Sequence, residues 1–141
     1  NRVLTTLECA LASPPSQVKR CSALLSAGAD GVWLFLILPS QAQHIGEALK
    51  SNKALTDLNL QENSIGVQGA QQIGEALKIN NALTDLNLQD NKIGDEGAQH
   101  IGEALKINKM LTSLDVKENR LSDAAEEALR AAARAGMVLE M

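Results

Sequence analysis

The chain has almost no aromatic residues: one tryptophan (Trp33), one phenylalanine (Phe35) and no tyrosine. Its apolar content is nevertheless an ordinary 45%, so the core must be built from Leu, Ile and Ala, a composition that suits stacking at fixed spacing. Cysteine is scarce. Cys9 and Cys21 are too few for a disulfide framework and read as reduced, partly buried thiols. Positive charge is also lacking: a net charge of −4 argues against a general nucleic-acid binder, which shows a basic face. No hydrophobic run is long. Val32–Leu38 is about a third of what crosses a bilayer, and no signal peptide is visible. The expectations are a cytoplasmic location, no nucleic-acid partner and no membrane partner.

What is present is repetition. Residues 54–81 read ALTDLNLQENSIGVQGAQQIGEALKINN and residues 82–109 read ALTDLNLQDNKIGDEGAQHIGEALKINK, with 22 of 28 positions identical. A self-similar period of this size marks a stacked array. Within one unit, Leu55, Leu58, Leu60, Asn63 and Ile65 spell L-x-x-L-x-L-x-x-N-x-I. The pattern predicts a short strand around Asp57–Leu60 that turns Leu58 and Leu60 inward and Asp57, Asn59 and Gln61 outward. Asn63, Asn91 and Asn119 then recur at the strand-to-helix turn, where a buried amide can bond backbone groups left unpaired by the bend. From Gly66 to Lys78 the apolar spacing becomes helical, with Ala70, Ile73, Ala76 and Leu77 on one face. Asn80-Asn81 breaks that helix. One strand and one helix cannot bury their apolar faces alone, so units must stack.

These residues resemble leucine-rich repeats. The 28-residue length, with a full helix and NxIGxxGAxxIGEALKxN, resembles the ribonuclease-inhibitor-like subclass. That subclass includes the recognition domains of NOD-like receptors, Ran GTPase-activating proteins and the C-terminal part of tropomodulins. The resemblance covers residues 41–141, roughly 70% of the chain. It implies an α/β leucine-rich-repeat solenoid: right-handed strand–helix repeats, a concave parallel sheet and convex helices.

A single domain over residues 1–141 is expected, with degenerate repeats over 1–40, regular ones over 41–109 and a capping repeat over 110–141. Unit starts are read at Val3, Gly31, Ala54, Ala82, Met110 and Val138. Cys9 replaces the third leucine of the first unit, and Pro14-Pro15 precede its helix. The phrase SALLSAGAD (Ser22–Asp30) also resembles the end of an ankyrin repeat, but no second copy follows. In the second unit Val32, Phe35 and Ile37 are placed at the leucine positions. Trp33, Leu34, Leu36 and Leu38 then face outward as a candidate apolar contact, covered by another part of the chain or pairing in a homodimer through the 31–38 strand. In the last unit, Ser122 or Asp123 is a natural N-cap and Gly136 a helix stop. The C-terminus reads as a true end of the array, the N-terminus as an open one.

No nucleophile–base pair, phosphate-cradling loop or CxxC motif is present, and His44 and His100 read as surface histidines without a metal. The expectation is therefore a protein that is not an enzyme and holds no cofactor. The informative surface is the concave face: Asp57, Asn59 and Gln61, then Asp85, Asn87 and Gln89, then Ser113, Asp115 and Lys117. Stacked at about 4.8 Å per strand, they form an acidic column, an amide column shading to Asp115 and a Gln–Gln–Lys column, with Glu62, Asp90 and Glu118 at the rim. This face is expected to bind a protein partner bearing basic or amide-rich groups. The resemblance raises two alternatives: the regulatory domain of a GTPase-activating protein, or a fragment of a larger NOD-like receptor or cytoskeletal protein. The chain lacks the acidic tail usual in the Ran activators.

Overall fold

Leucine at every second strand position and a helical apolar stripe after it produce one strand and one helix per unit. The computed structural model describes residues 32–34 and 42–141, the latter with side chains from residue 45 onward. Five strands, β1 (Val32–Leu34), β2 (Asp57–Asn59), β3 (Asp85–Asn87), β4 (Ser113–Asp115) and β5 (Val138–Glu140), form one parallel sheet in chain order. Four helices alternate with them: α1 (Ala42–Ser51), α2 (Gly66–Leu77), α3 (Gly94–Ile107) and α4 (Asp123–Ala132). This is the α/β solenoid expected of the repeat. The readings of the first unit and of Phe35, Leu36, Ile37 and Leu38 lie outside the described residues.

The core is written in columns. Leu58, Leu86 and Leu114 face one another in register, Leu60, Leu88 and Val116 follow two residues later, and Ile73, Ile101 and Leu129 close over them from the helices. Each is buried to within a few per cent. Backbone bonding continues past the strands into the turn: Leu60 N–H donates to Asn87 O, Glu62 N–H to Gln89 O and Gly66 N–H to Asn91 O, each at 2.9 Å. Neighbouring strands sit about 4.8 Å apart, whereas packed helices need about 8–10 Å. The sheet is thus the short side of the array, which curves with its strands inside.

The two outer units depart from the expected register. Leu58, Leu86 and Leu114 are 28 residues apart, but Trp33 stands opposite Leu58 and Leu139 opposite Leu114, steps of 25. The expected alignment placed Phe35 opposite Leu58. A slip of two residues preserves the alternation of faces, so the uniformly apolar GVWLFLIL cannot fix it. At the other end, Val138 pairs with Ser113 rather than starting a unit in line with Met110. Helix α4 ends at Ala132, ahead of Gly136, and Ala133 is already extended. Gly136, at φ 86°, instead turns the chain directly into β5, with Met137 N–H bonded to Arg134 O at 3.0 Å.

Helices approach each other at glycine. A Cβ on Gly46 would lie 2.9 Å from Gln72 O, and one on Gly74 would lie 2.9 Å from His100 O. Gly102 differs: its Cβ would meet only side-chain atoms of Leu129 and Ala132, at 3.6 and 3.7 Å. The last helix packs more loosely than its predecessors.

Candidate functional site: the concave face and its asparagine frame

Two rows of buried asparagine hold the strands from either end. At the strand-to-helix turn, Asn91 Nδ2 donates to Leu88 O and Gln89 O of its own unit (both 3.0 Å) and to Leu60 O of the preceding one (2.8 Å). Its Oδ1 accepts from Asn63 N (3.1 Å) and Ile65 N (3.4 Å). Asn119 repeats this one unit later, reaching back to Leu88 O at 2.8 Å and accepting from Asn91 N at 2.9 Å. Asn63 Nδ2 donates to Leu60 O and Gln61 O, at 2.8 and 2.9 Å.

The second row was missed in the sequence. Asn52, Asn80 and Asn108 are buried at the helix-to-strand corner. Asn80 Nδ2 donates to Leu49 O (2.6 Å) and Asn52 O (2.9 Å), and its Oδ1 accepts from Ala82 N and Leu83 N. Asn108 does the same with Leu77 O, Asn80 O, Met110 N and Leu111 N. Read as a helix breaker, Asn80-Asn81 hid this role. The 28-residue recurrence of Asn52, Asn80 and Asn108 was the available signal. Among the described residues no buried side-chain nitrogen or oxygen lacks a partner.

Between these rows lies the concave face. Asp57 and Asp85 are register neighbours, with Ser113 beyond. Thr56 Oγ1 donates to the Asp57 carboxylate at 2.6 Å and Thr84 Oγ1 to that of Asp85 at 2.7 Å, which fixes both acids on the surface. Asn59 and Asn87 form the next column, in register with Asp115. Their Oδ1 atoms accept from the backbone N–H two residues on, Gln61 N and Gln89 N, each at 2.9 Å. The carbonyl ends are thus engaged locally, and the column presents its amide N–H groups. Asp115 makes the equivalent bond to Lys117 N at 2.9 Å.

Lys117 ion-pairs with Glu140 of β5, a residue the sequence reading did not include because the last unit steps by 25 rather than 28. The hydrogen bond to Glu140 is the main cause that raises the Lys117 pKa, opposed by desolvation and helped by the charges of Glu140 and Asp115. At the rim, Glu62, Asp90 and Glu118 are exposed and share the left-handed backbone, at φ 58°, 52° and 56°. The face therefore gathers carboxylates in rows while its one lysine is held by Glu140.

Of the candidate apolar residues, Leu34 stands in register with Asn59, and Trp33 with core Leu58 rather than with the outward positions. Leu36 and Leu38 lie outside the described residues. Among the described residues no cluster of His, Cys, Asp and Glu could hold a metal ion, and no helix is long and apolar enough to cross a membrane.

A sequence model described as Leucine Rich repeat matches residues 51–74, 80–102 and 108–129. Among solved structures, the chain is similar to one titled Leiomodin-1 Actin-Binding Site 2, with a TM-score of 0.66 and 24% identity. The match covers 74% of this chain and 63% of that one, so the chain spans less than two thirds of that structure's length. The likeness is one of fold. A search of curated proteins finds no match to the chain.

Proposed function

We propose that this chain, a stack of leucine-rich repeats, is a protein-interaction module whose concave face binds a basic, carbonyl-presenting segment of a partner protein. One observation carries the reading: carboxylates Asp57 and Asp85, aligned in register and held by threonines, beside a column of amide donors from Asn59 and Asn87. A lysine or arginine side chain can answer the first column and a peptide carbonyl the second. The 28-residue step with a full helix per unit supports the ribonuclease-inhibitor-like subclass. Fold does not fix a partner; filamentous actin enters as a protein to assay because the structural neighbour is an actin-binding site. The GTPase-activator alternative rests on the resemblance of repeat type, and stimulated GTP hydrolysis would decide for it.

The test is a titration of arrayed lysine- and arginine-rich peptides, and separately a co-sedimentation with filamentous actin, using the parent and the Asp57→Asn/Asp85→Asn variant. Binding that weakens about tenfold in the variant, equivalent to about 1.4 kcal/mol, and weakens further with salt supports the reading. Unchanged affinity removes the acidic column from it.

A further inference from the structure

Opposite the acidic rim, where helices return to strands, the surface has another character. Ile79 is 61% exposed and Ile107 55% exposed, and they occupy the same position in successive units, just past or at the helix end. Met110, 43% exposed, sits three residues beyond Ile107. Buried isoleucines elsewhere in the repeat are at most 2% exposed, so these side chains are not part of the core. The flanking units carry Ser51 and Ala135 at the same sequence position. The apolar feature is thus confined to the two central helix ends.

Cations surround it. Lys53, Lys106, Lys109 and Arg134 are all exposed along this corner, and none of them forms a salt bridge among the described residues. Arg134 donates to Lys109 O, which places its guanidinium beside the Met110 approach. Lys50 and Lys78 lie in the same row, but Glu47, Glu75 and Glu103 already pair with them. The open charge at this corner is therefore positive, on a chain whose net charge is −4.

We infer that the helix-to-strand corner formed by Ile79, Ile107 and Met110 with Lys53, Lys106, Lys109 and Arg134 docks an acidic amphipathic helix of a partner protein. The spacing favours a helix. Neighbouring units stand about 4.8 Å apart at the sheet and about 8–10 Å apart at the helices, so Ile79 and Ile107, at the corner where Asn108 Nδ2 reaches Asn80 O at 3.0 Å, are spaced between those limits. Apolar residues four apart on a helix are separated by about 6 Å and share one face. Such a helix laid across the two helix ends places its apolar pair on the isoleucines and its carboxylates over the four cations that form no salt bridge among the described residues. Exposed apolar side chains rimmed by charge are the usual mark of a contact surface.

The test uses a displayed library of helical peptides of about sixteen residues, apolar at i and i+4 and randomised elsewhere, selected on the parent protein. The expected result is enrichment of acidic members that lose about tenfold or more in affinity on Ile79→Ser/Ile107→Ser, the residue of Ser51 in the neighbouring unit. A similar loss on Lys106→Glu/Lys109→Glu is expected. Because both isoleucines are exposed, the thermal transition of the serine variant should match the parent, which separates lost docking from lost folding. Failure to enrich acidic helices, or enrichment insensitive to the serine pair, overturns the inference. So does binding of the same corner to phosphatidylserine vesicles in preference to any peptide. The Asp57→Asn/Asp85→Asn variant should keep this binding, so failure here and failure of the concave-face reading are distinguishable.

Discussion

Asn91 does more for its unit than its size suggests. Fully buried, it shares its amide donors among three carbonyls and accepts from two backbone amides of the preceding unit. Asn91→Ala should destabilise the protein by roughly 1–3 kcal/mol, because those groups lose their partner without gaining water. A urea midpoint within error of the parent would refute that role. Asp95 makes a subtler link: its carboxylate accepts from Ser122 N and Ser122 Oγ, both at 2.8 Å, tying α3 to the start of α4. The backbone and side-chain hydrogen bonds from Ser122 lower its pKa, against a small desolvation effect. A lowered folded-state pKa contributes stability that is present above the ordinary aspartate value of about 4 and is lost as pH falls through the folded value. Carboxyl-detected NMR should find the Asp95 midpoint below that of free aspartate, and Ser122→Ala should move it upward.

At the scale of the element, the same IGEALK phrase carries glycines with opposite expected behaviour. Gly74→Ala would drive a Cβ against the His100 carbonyl, whereas Gly102→Ala meets only side-chain atoms at ordinary contact distance. The first should destabilise. The second should stabilise by up to about 1 kcal/mol, the helix-propensity advantage of alanine over glycine. Thermal melts of the two single variants check the contrast, and equal shifts would mean the helix spacing is uniform. Nothing in the sequence of the two hexapeptides separates them. The difference arises from α4, an alanine-rich helix of 10 residues against the 14 of α3. The central elements were legible because Leu58, Leu86 and Leu114 repeat with their turns. The flanking strands were legible as strands but not in register, since an apolar run fits at several offsets and the 10-residue α4, against 14 in α3, shortens the last step. On the candidate face, Asp57 through Lys117 could be placed from alternation alone, whereas Glu140 required the final register.

For the whole molecule, charge and stability pull against each other. Asp57 and Asp85 sit in register on adjacent strands, and like charges so placed oppose folding by about 0.2–1 kcal/mol. Asp57→Asn/Asp85→Asn should therefore leave stability unchanged or slightly higher, as measured by denaturant midpoint. A loss above about 1 kcal/mol would show that the threonine-to-aspartate bonds matter more to folding than to binding. Strand repulsion and the acidic rim also predict a modest gain in stability with added salt. Molar mass by light scattering, on the parent and on a variant with Leu34, Leu36 and Leu38 made polar and Trp33 kept, tests self-association through the first strand: a dimer that becomes a folded monomer supports it, and two folded monomers reject it.

The asparagine rows also give the stack a direction. Asn91 caps amides of the unit before it, at Asn63 N and Ile65 N, and Asn119 caps those of the unit that contains Asn91, at Asn91 N and Ile93 N. Each unit is completed by its successor. Pulled apart from the C-terminal end, the array should behave as a ratchet running backwards: every unit removed bares two backbone donors in the next to go, the same two at each step. Tension applied from the opposite end removes a unit whose donors leave with it and strips no cap from those that remain. Single-molecule stretching between an internal anchor and one terminus, then the other, would show this as unequal rupture forces, and equal forces would show that the polarity of the bonds has no mechanical consequence.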